Sequence, residues 1–186
     1  MNKQAVVVID VQNAIVDLPG ATRTLEARAA LDLVVAKIAR LLEWARQRNT
    51  PVLFVQHDGG PGNRLARGTP GWEIRREIAP AAGEPVIEKN ACDSFFETSL
   101  GRELEARQAK ELIVAGCMTQ WCVDTTVRRS VTLGYDVLLV ADGHMTADLG
   151  ALKFEQIIAH HNLVLDGFEA DSHTVRVLPL DKILNG

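Results

Sequence analysis

The segment from residue 112 to residue 123 constrains the fold of this chain more than any other stretch. It opens with four consecutive apolar residues, a pattern typical of a strand that is buried on both faces of a sheet. Gly116 follows and allows a sharp turn of the backbone that a side chain would obstruct. Thr119 is then predicted to cap a helix that runs to about residue 133, with three valines on one face: Val123, Val127 and Val131. The segment therefore predicts a buried strand that turns directly into a helix.

Cys122 falls in the first turn of that predicted helix. The unpaired backbone N–H groups and the positive end of the helix dipole favour a thiolate over a thiol at such a place. A strand-to-helix turn is also where an α/β fold presents a nucleophile at the top of its sheet. The alternative is a small buried apolar residue, because free cysteine is among the most buried residue types. Cys122 is therefore either a catalytic nucleophile or a packing residue.

Apolar runs and amphipathic stretches alternate along the whole chain. We expect strands at about residues 4–9, 51–56, 85–88, 112–115, 135–141 and 174–178, and helices at about 24–48, 97–107, 119–133 and 150–161. Loops are expected around Pro19-Gly20 and over residues 57–71, the longest irregular stretch. The alternation predicts an α/β fold with a mostly parallel sheet. The length, and the lack of a repeat or linker, predict a single domain over residues 1–186.

The composition and the charge balance argue against several classes of function. A formal net charge of −4 argues against nucleic acid as the main partner. No apolar run approaches the roughly 20 residues that span a bilayer, so we expect no membrane partner. The sequence starts directly with an apolar strand and holds three cysteines, an odd number, which favours free thiols in a reducing compartment. We therefore expect a cytoplasmic protein that binds neither nucleic acid nor a membrane.

Three unlike side chains are predicted to meet at one edge of the sheet. Asp10 ends the first predicted strand, Lys89 ends the third and Cys122 follows the fourth, and the carboxyl ends of parallel strands share the edge where ligands bind. In such a group the thiolate attacks an acyl or C–N carbon, while Asp10 takes up the thiol proton and returns it to a leaving amine. Lys89 holds Asp10 ionised and favours the thiolate. The alternatives are a solvated lysine and an aspartate that caps a turn.

The backbone of the cysteine turn and five further side chains complete the candidate site. The N–H groups of Met118 and Cys122 lie where they can bind a developing oxyanion. The five side chains are expected near the substrate: Gln12, His57, Trp72, Phe95 and Trp121. The histidine either lines the pocket or is a loop residue without a role, and the glutamine orients either the substrate or the turn. The three aromatic residues either wall an apolar pocket or belong to the core.

Several motifs of the chain resemble those of the isochorismatase-like cysteine hydrolases. They are Asp10-Val11-Gln12-Asn13, Lys89 with Asp93-Ser94-Phe95-Phe96, the run from Gly116 to Thr126, Gly134-Tyr135-Asp136-Val137 and Ala141-Asp142-Gly143. They follow the family's order over nearly the whole chain. The resemblance implies a three-layer α/β/α Rossmann-like fold with a mostly parallel six-stranded sheet in the order 3-2-1-4-5-6. It also implies a homo-oligomer, either a dimer or a tetramer.

The same resemblance assigns roles to individual residues. The family's Asp-Lys-Cys catalytic triad maps onto Asp10, Lys89 and Cys122. Family members often have a non-proline cis peptide bond in the cysteine turn, and by position it joins Cys117 to Met118. That bond would direct the Met118 N–H group into the oxyanion hole.

The departures from the family's patterns narrow the expected activity. Nicotinamidase-like members bind a metal through an Asp-x-His motif and further histidines, whereas this chain has only His57 near that place and no other histidine before His144. A divalent metal needs several convergent ligands, so we expect neither a metal nor another cofactor. Members that cleave a vinyl ether dispense with the cysteine, which is kept here as Cys122. The expected reaction is therefore covalent hydrolysis of an amide, ureide or imide-like C–N bond through a thioester-type intermediate. The alternatives are a vinyl ether hydrolase that uses Asp10, and a binding or oligomerisation module without chemistry.

Overall fold

A computed structural model describes residues 3–16 and 25–185 of the chain. The strands are β1 Gln4–Ile9, β2 Val52–His57, β3 Val86–Lys89, β4 Glu111–Cys117, β5 Asp136–Met145, β6 Glu169–Ala170 and β7 His173–Leu178. The helices are α1 Asn13–Val16, α2 Leu25–Gln47, α3 Leu100–Ala106, α4 Asp124–Thr132, α5 Phe154–Leu165 and α6 Leu180–Leu184. The loop predicted around Pro19-Gly20 lies outside the described residues.

The strands form one sheet in the order β3-β2-β1-β4-β5-β7-β6, and every neighbouring pair is parallel except β6 with β7. The predicted α/β class and the order of the six long strands are confirmed. The predicted number of strands is wrong, because Glu169–Ala170 adds a seventh strand that pairs with the start of β7. A strand of two residues carries no hydrophobic period, so the sequence pattern could not reveal it.

Alternating side chains of β1 enter two separate cores, one on each face of the sheet. Val6 and Val8 pack with the apolar side of α2, and Val7 and Ile9 pack with residues of α3 and α4. This period of two, with both faces covered by helices, gives the three-layer arrangement expected from the sequence. The α2 residues that face the core are Ala27, Leu31, Val34, Val35, Ile38, Leu41, Leu42 and Ala45. Each buried leucine, isoleucine or valine stabilises the fold by about 1.5–3 kcal/mol relative to an exposed one.

β4 and β5 both depart from regular strand geometry near the carboxyl edge of the sheet. Gly116 of β4 has a φ of +135°, and a Cβ atom there would lie 2.1 Å from the Ile9 carbonyl oxygen of β1. The predicted end of β5 near Asp142-Gly143 is wrong, because β5 bulges and then pairs again, with His144 opposite Gly116. The bulge lets β5 continue to the edge of the sheet at which β4 ends.

No helix within the described residues is long and apolar enough to span a bilayer.

Candidate active site

Asp10, Lys89 and Cys122 meet at the carboxyl edge of the sheet. Asp10 directly follows β1, Lys89 is the last residue of β3, and Cys122 lies in the turn after β4. The Lys89 Nζ atom lies 2.6 Å from Asp10 Oδ2 and 3.2 Å from Cys122 Sγ. The side chains of Asp10 and Lys89 are fully buried. The three side chains that the strand ends predicted to converge are thus in direct contact around one ammonium group.

Backbone hydrogen bonds help to position both Asp10 and Lys89, in addition to the contact between their side chains. The Asp10 N–H group donates to the Val55 carbonyl oxygen of β2 at 2.9 Å. Asp10 has a φ of +52°, a conformation that aspartate tolerates better than most residues with a Cβ atom. The Lys89 ammonium also donates to the Ala91 carbonyl oxygen at 2.8 Å. The ammonium thus makes one ion pair and two hydrogen bonds, and such contacts keep a buried charge stable.

The electrostatics of the trio favour a neutral thiol beside a charged pair. Burial, and then the negative charge of Asp10, raise the pKa of the Cys122 thiol, and the opposing effect of Lys89 is smaller. Burial also raises the pKa of Asp10, which makes its carboxylate a stronger base than usual. Burial alone would lower the pKa of Lys89, but Asp10 and Cys122 outweigh it, so that this pKa is raised. The raised pKa of Cys122 runs against the expectation that a helix start favours a thiolate there, because the sequence reveals the helix start but not the burial.

The turn that carries Cys122 is a π-helical turn, Thr119–Val123, and α4 begins only at Asp124. The Met118 carbonyl oxygen accepts the N–H groups of Trp121 at 3.1 Å and of Val123 at 3.3 Å, on either side of Cys122 in the sequence. The peptide bond between Cys117 and Met118 is cis, as the family resemblance implied. The predicted valine face is confirmed, because Val123, Val127 and Val131 are buried.

The prediction that Thr119 caps the helix is wrong. The residue at the cap position is Met118, which has an extended backbone and makes no side-chain cap hydrogen bond. The Thr119 hydroxyl group instead lies 2.9 Å from His144 Nδ1 of β5, and both side chains are buried. A hydroxyl that is bound to a neighbouring strand is not available to the N–H groups of its own turn.

Gln12 joins the ends of two other segments at the same edge. Its side-chain amide donates to the carbonyl oxygens of His57 at 2.9 Å and of Trp72 at 2.7 Å, and accepts the His57 N–H group at 3.0 Å. Gln56 donates to the same Trp72 carbonyl oxygen at 2.8 Å. Gln12 is completely buried, so its contacts are those of a residue that orients the turn. The long loop after β2 is thereby held against the site.

His57 and the aromatic residues take different positions. His57 pairs with Lys89 in the register of β2 and β3, and burial and the positive charge of Lys89 lower its pKa. Trp121 lies next to Cys122 in the turn and is 46% exposed. Phe95 stacks on Tyr135, with ring centroids 6.0 Å apart, and packs against the core. Tyr135 directly precedes β5, and the expectation that Phe95 walls the substrate pocket stays a prediction.

Two groups of polar side chains around the site were missed by sequence reasoning. The Ser94 and Thr126 hydroxyl groups lie 2.8 Å apart and join the loop after β3 to α4. His144 bridges Thr119 and Asn162 of α5. The signal that could have found them is a polar residue inside an otherwise apolar helix or strand, since such residues need buried partners. In the described parts of the chain, no three His, Cys, Asp or Glu side chains come together as a metal site requires.

Comparison with known proteins places this geometry in a family. The family model of the isochorismatase domain matches residues 4–160. A streptothricin hydrolase from Streptomyces noursei is 39% identical over 148 residues, which are 80% of this chain and 51% of that relative. The chain thus spans about half the length of that relative. A ureidoacrylate amidohydrolase from Variovorax paradoxus is 27% identical and covers 82% of this chain and 71% of its own.

Solved structures agree with the sequence comparison. The crystal structure of an isochorismatase from Pseudomonas putida superposes with a TM-score of 0.84 at 32% identity, over 97% of this chain and 89% of that one. The resemblance of the sequence motifs is confirmed, and the chain belongs to the isochorismatase family of hydrolases.

Proposed function

We propose that the protein is a cysteine-dependent hydrolase that cleaves a C–N bond of a small amide, ureide or imide-like molecule. One observation carries the proposal: a single buried ammonium, Lys89 Nζ, lies 2.6 Å from the Asp10 carboxylate and 3.2 Å from the Cys122 sulfur. An ion pair with a purely structural role needs no thiol in contact with it. A catalytic thiol, in contrast, needs an adjacent base and a charge that orients that base.

The first half of the reaction forms an acyl-enzyme. Asp10 accepts the proton of the Cys122 thiol as the sulfur attacks the carbonyl carbon, and the raised pKa of Asp10 favours this transfer. The carbonyl π electrons move to oxygen, which the N–H groups of Met118 and Cys122 are proposed to bind. The C–N bond then breaks, Asp10 returns the proton to the leaving nitrogen, and a thioester to Cys122 remains.

The second half of the reaction frees the enzyme. Asp10, again a carboxylate, takes a proton from water, and the resulting hydroxide attacks the thioester carbon. The C–S bond breaks, Cys122 leaves as the thiolate, and the proton returns to it from Asp10. Lys89 stays protonated throughout, because its raised pKa keeps the charge that holds Asp10 and stabilises the transient thiolate.

The names of the relatives support the same bond type. A streptothricin hydrolase and a ureidoacrylate amidohydrolase both match most of this chain, and ureidoacrylate is a ureide. The buried contact between Cys122 and Lys89 favours thiol chemistry over the ether cleavage that needs no cysteine. For the substrate we propose that Trp121, which is half exposed and adjacent to Cys122 in the turn, and His57, at the end of β2, contact the molecule.

The proposal is tested by screening the purified protein against linear amides, N-carbamoyl compounds and cyclic imides. We expect turnover of at least one class, its loss in Cys122→Ala, and an acyl adduct on Cys122 by mass spectrometry. Cys92→Ala is the matched control, because Cys92 is an exposed free thiol. Full turnover in Cys122→Ala contradicts the proposal. Turnover of a chorismate-type ether after the thiol is alkylated would favour the vinyl ether alternative, and a protein inert to every substrate would favour a binding module.

A further inference from the structure

A chain of polar side chains runs from the cysteine turn through β5 to α5. The Thr119 hydroxyl group lies 2.9 Å from His144 Nδ1, and His144 Nε2 lies 2.8 Å from the side-chain oxygen of Asn162. The Asn162 amide nitrogen lies 3.0 Å from the Ala141 carbonyl oxygen. Thr119 is fully buried and His144 is 1% exposed. These hydrogen bonds do not involve Asp10, Lys89 or Cys122, and the proposed reaction does not use the three side chains.

The Ala141 carbonyl group determines which atom donates in each hydrogen bond of this series. The Ala141 carbonyl oxygen can only accept, so the Asn162 amide nitrogen donates to it and the Asn162 oxygen faces His144. His144 must then donate from Nε2, and its Nδ1 accepts the Thr119 hydroxyl proton. Burial lowers the pKa of His144 to about 4, which is consistent with a neutral ring that donates at one nitrogen and accepts at the other. The other titratable groups that act on the ring are His161 of α5 and Asp142 of β5, and Asp142 is paired with Lys37 of α2.

This series of hydrogen bonds ends at Thr119, the first residue of the π-helical turn. Thr119 opens the turn in which Cys122 lies, and Met118, the residue at its cap position, makes no side-chain cap hydrogen bond. β5 reaches the turn only because its bulge brings His144 opposite Gly116 of β4. The side-chain hydrogen bond from Thr119 to His144 therefore ties the start of the cysteine turn to the neighbouring strand.

We propose that Thr119, His144 and Asn162 are positioning residues that hold the Cys122 sulfur against Lys89 and Asp10. The inference depends on the proposed function only in treating Cys122 as the nucleophile. When the hydrogen bonds among Thr119, His144 and Asn162 are lost, the turn loosens and the sulfur leaves its buried contact with the ion pair. The thiol then becomes more accessible to external reagents. The position of the sulfur is thus set in part from α5.

Alkylation by iodoacetamide at neutral pH, read at each cysteine by peptide mass spectrometry, tests this without a substrate. The three cysteines report different events. Cys92 is exposed and reports the reagent, Cys117 is buried and reports global unfolding, and Cys122 reports the turn. Because no turnover is measured, the result stands even if the protein cleaves no amide, so this inference and the proposed function can fail separately.

Thr119→Val and Asn162→Ala should each raise the rate at Cys122 relative to Cys92 by about fivefold or more, which is equivalent to about 1 kcal/mol, with Cys117 still protected. The double variant should match the single ones, because both substitutions break the same chain. Thr119→Ser, which keeps the hydroxyl group, should behave as the wild type. Thr125→Val is the matched control, since it removes a hydroxyl group from α4 just beyond Cys122.

Three results would overturn the proposal. They are an unchanged rate at Cys122 in both single variants, a Thr119→Ser protein that reacts like Thr119→Val, and a Cys117 thiol that becomes reactive together with Cys122. The last result would mean that the chain supports the fold as a whole and does not position the sulfur. Thr119→Val is nearly isosteric, so it decides the question even if Asn162→Ala fails to fold.

Discussion

Lys89 is the residue on which the charge balance of the site depends. Its removal in Lys89→Met would leave the Asp10 carboxylate buried without a counter-charge, and breaking a buried pair in this way costs about 3–5 kcal/mol. We expect a loss of that size in the free energy of unfolding measured with urea. Asp10→Asn combined with Lys89→Met should be less destabilising than the sum of the two single substitutions, because neither charge is then left alone.

The control for Lys89→Met is a lysine with an exposed ion pair. Lys153 pairs with Asp148 at 2.8 Å, but its side chain is 66% exposed. Lys153→Met should leave the free energy of unfolding almost unchanged, because solvent screens an exposed ion pair. If Lys89→Met were equally mild, Asp10 would not depend on the ammonium, and the electrostatic basis of the proposed triad would be lost.

His144 should make the stability of the protein fall in mild acid. An unfolded histidine binds its proton near pH 6.5, whereas burial delays protonation of the folded ring to about pH 4. Between these values the unfolded state binds more protons, so the free energy of unfolding rises with pH across this window, by about 3 kcal/mol in total. His144→Gln removes this contribution. Urea unfolding of both proteins between pH 4 and 6.5 should give curves that converge towards low pH, and parallel curves would contradict the assignment.

The ends of β1, β3 and β4 show how far strand patterns lead to a site. Apolar runs reveal where a parallel strand stops, and all such ends share one edge, so Asp10, Lys89 and Cys122 could be brought together from sequence alone. The bulge in β5 could not be predicted, because the residues around Gly143 have the composition of a turn. The strand predicted over residues 135–141 therefore stops short of His144. The position of Phe95 was also beyond reach, since an aromatic ring near an edge packs equally well towards either core.

Gly116 is the point at which β4 depends most on a single residue. A methyl group there would lie 2.1 Å from the Ile9 carbonyl oxygen, and the φ of +135° is unfavourable for any side chain. Gly116→Ala should therefore destabilise the protein by about 3 kcal/mol or more, beyond the usual effect of a point substitution. Gly101→Ala is the control, because its nearest contact would be 4.0 Å away and it lies inside α3. This control should gain about 0.5–1 kcal/mol. Thermal unfolding of both variants measures the contrast, and equal melting temperatures would exclude a close contact between β4 and β1.

For the molecule as a whole, the strands that carry the site differ in how well their backbone is protected from local opening. β1 and β4 are paired on both sides and are buried on both faces. β3, which carries Lys89, is a four-residue strand at the edge of the sheet. An edge strand opens more readily than a central one, so contacts at its end matter more. The buried ion pair of Lys89 with Asp10 joins this edge strand to the centre of the sheet.

Hydrogen exchange followed by mass spectrometry can measure this difference in protection. Amides of β1 and β4 should exchange only through global unfolding, and those of β3 should exchange faster by local opening. In Lys89→Met the gap between β3 and β1 should widen, because the variant removes the ion pair that fastens the edge strand to Asp10. Lys153→Met should leave the gap unchanged, since Lys153 pairs near α5. If β3 and β1 exchanged at one rate in both the wild type and Lys89→Met, the sheet would open as a single unit and the ion pair would hold no separate element in place.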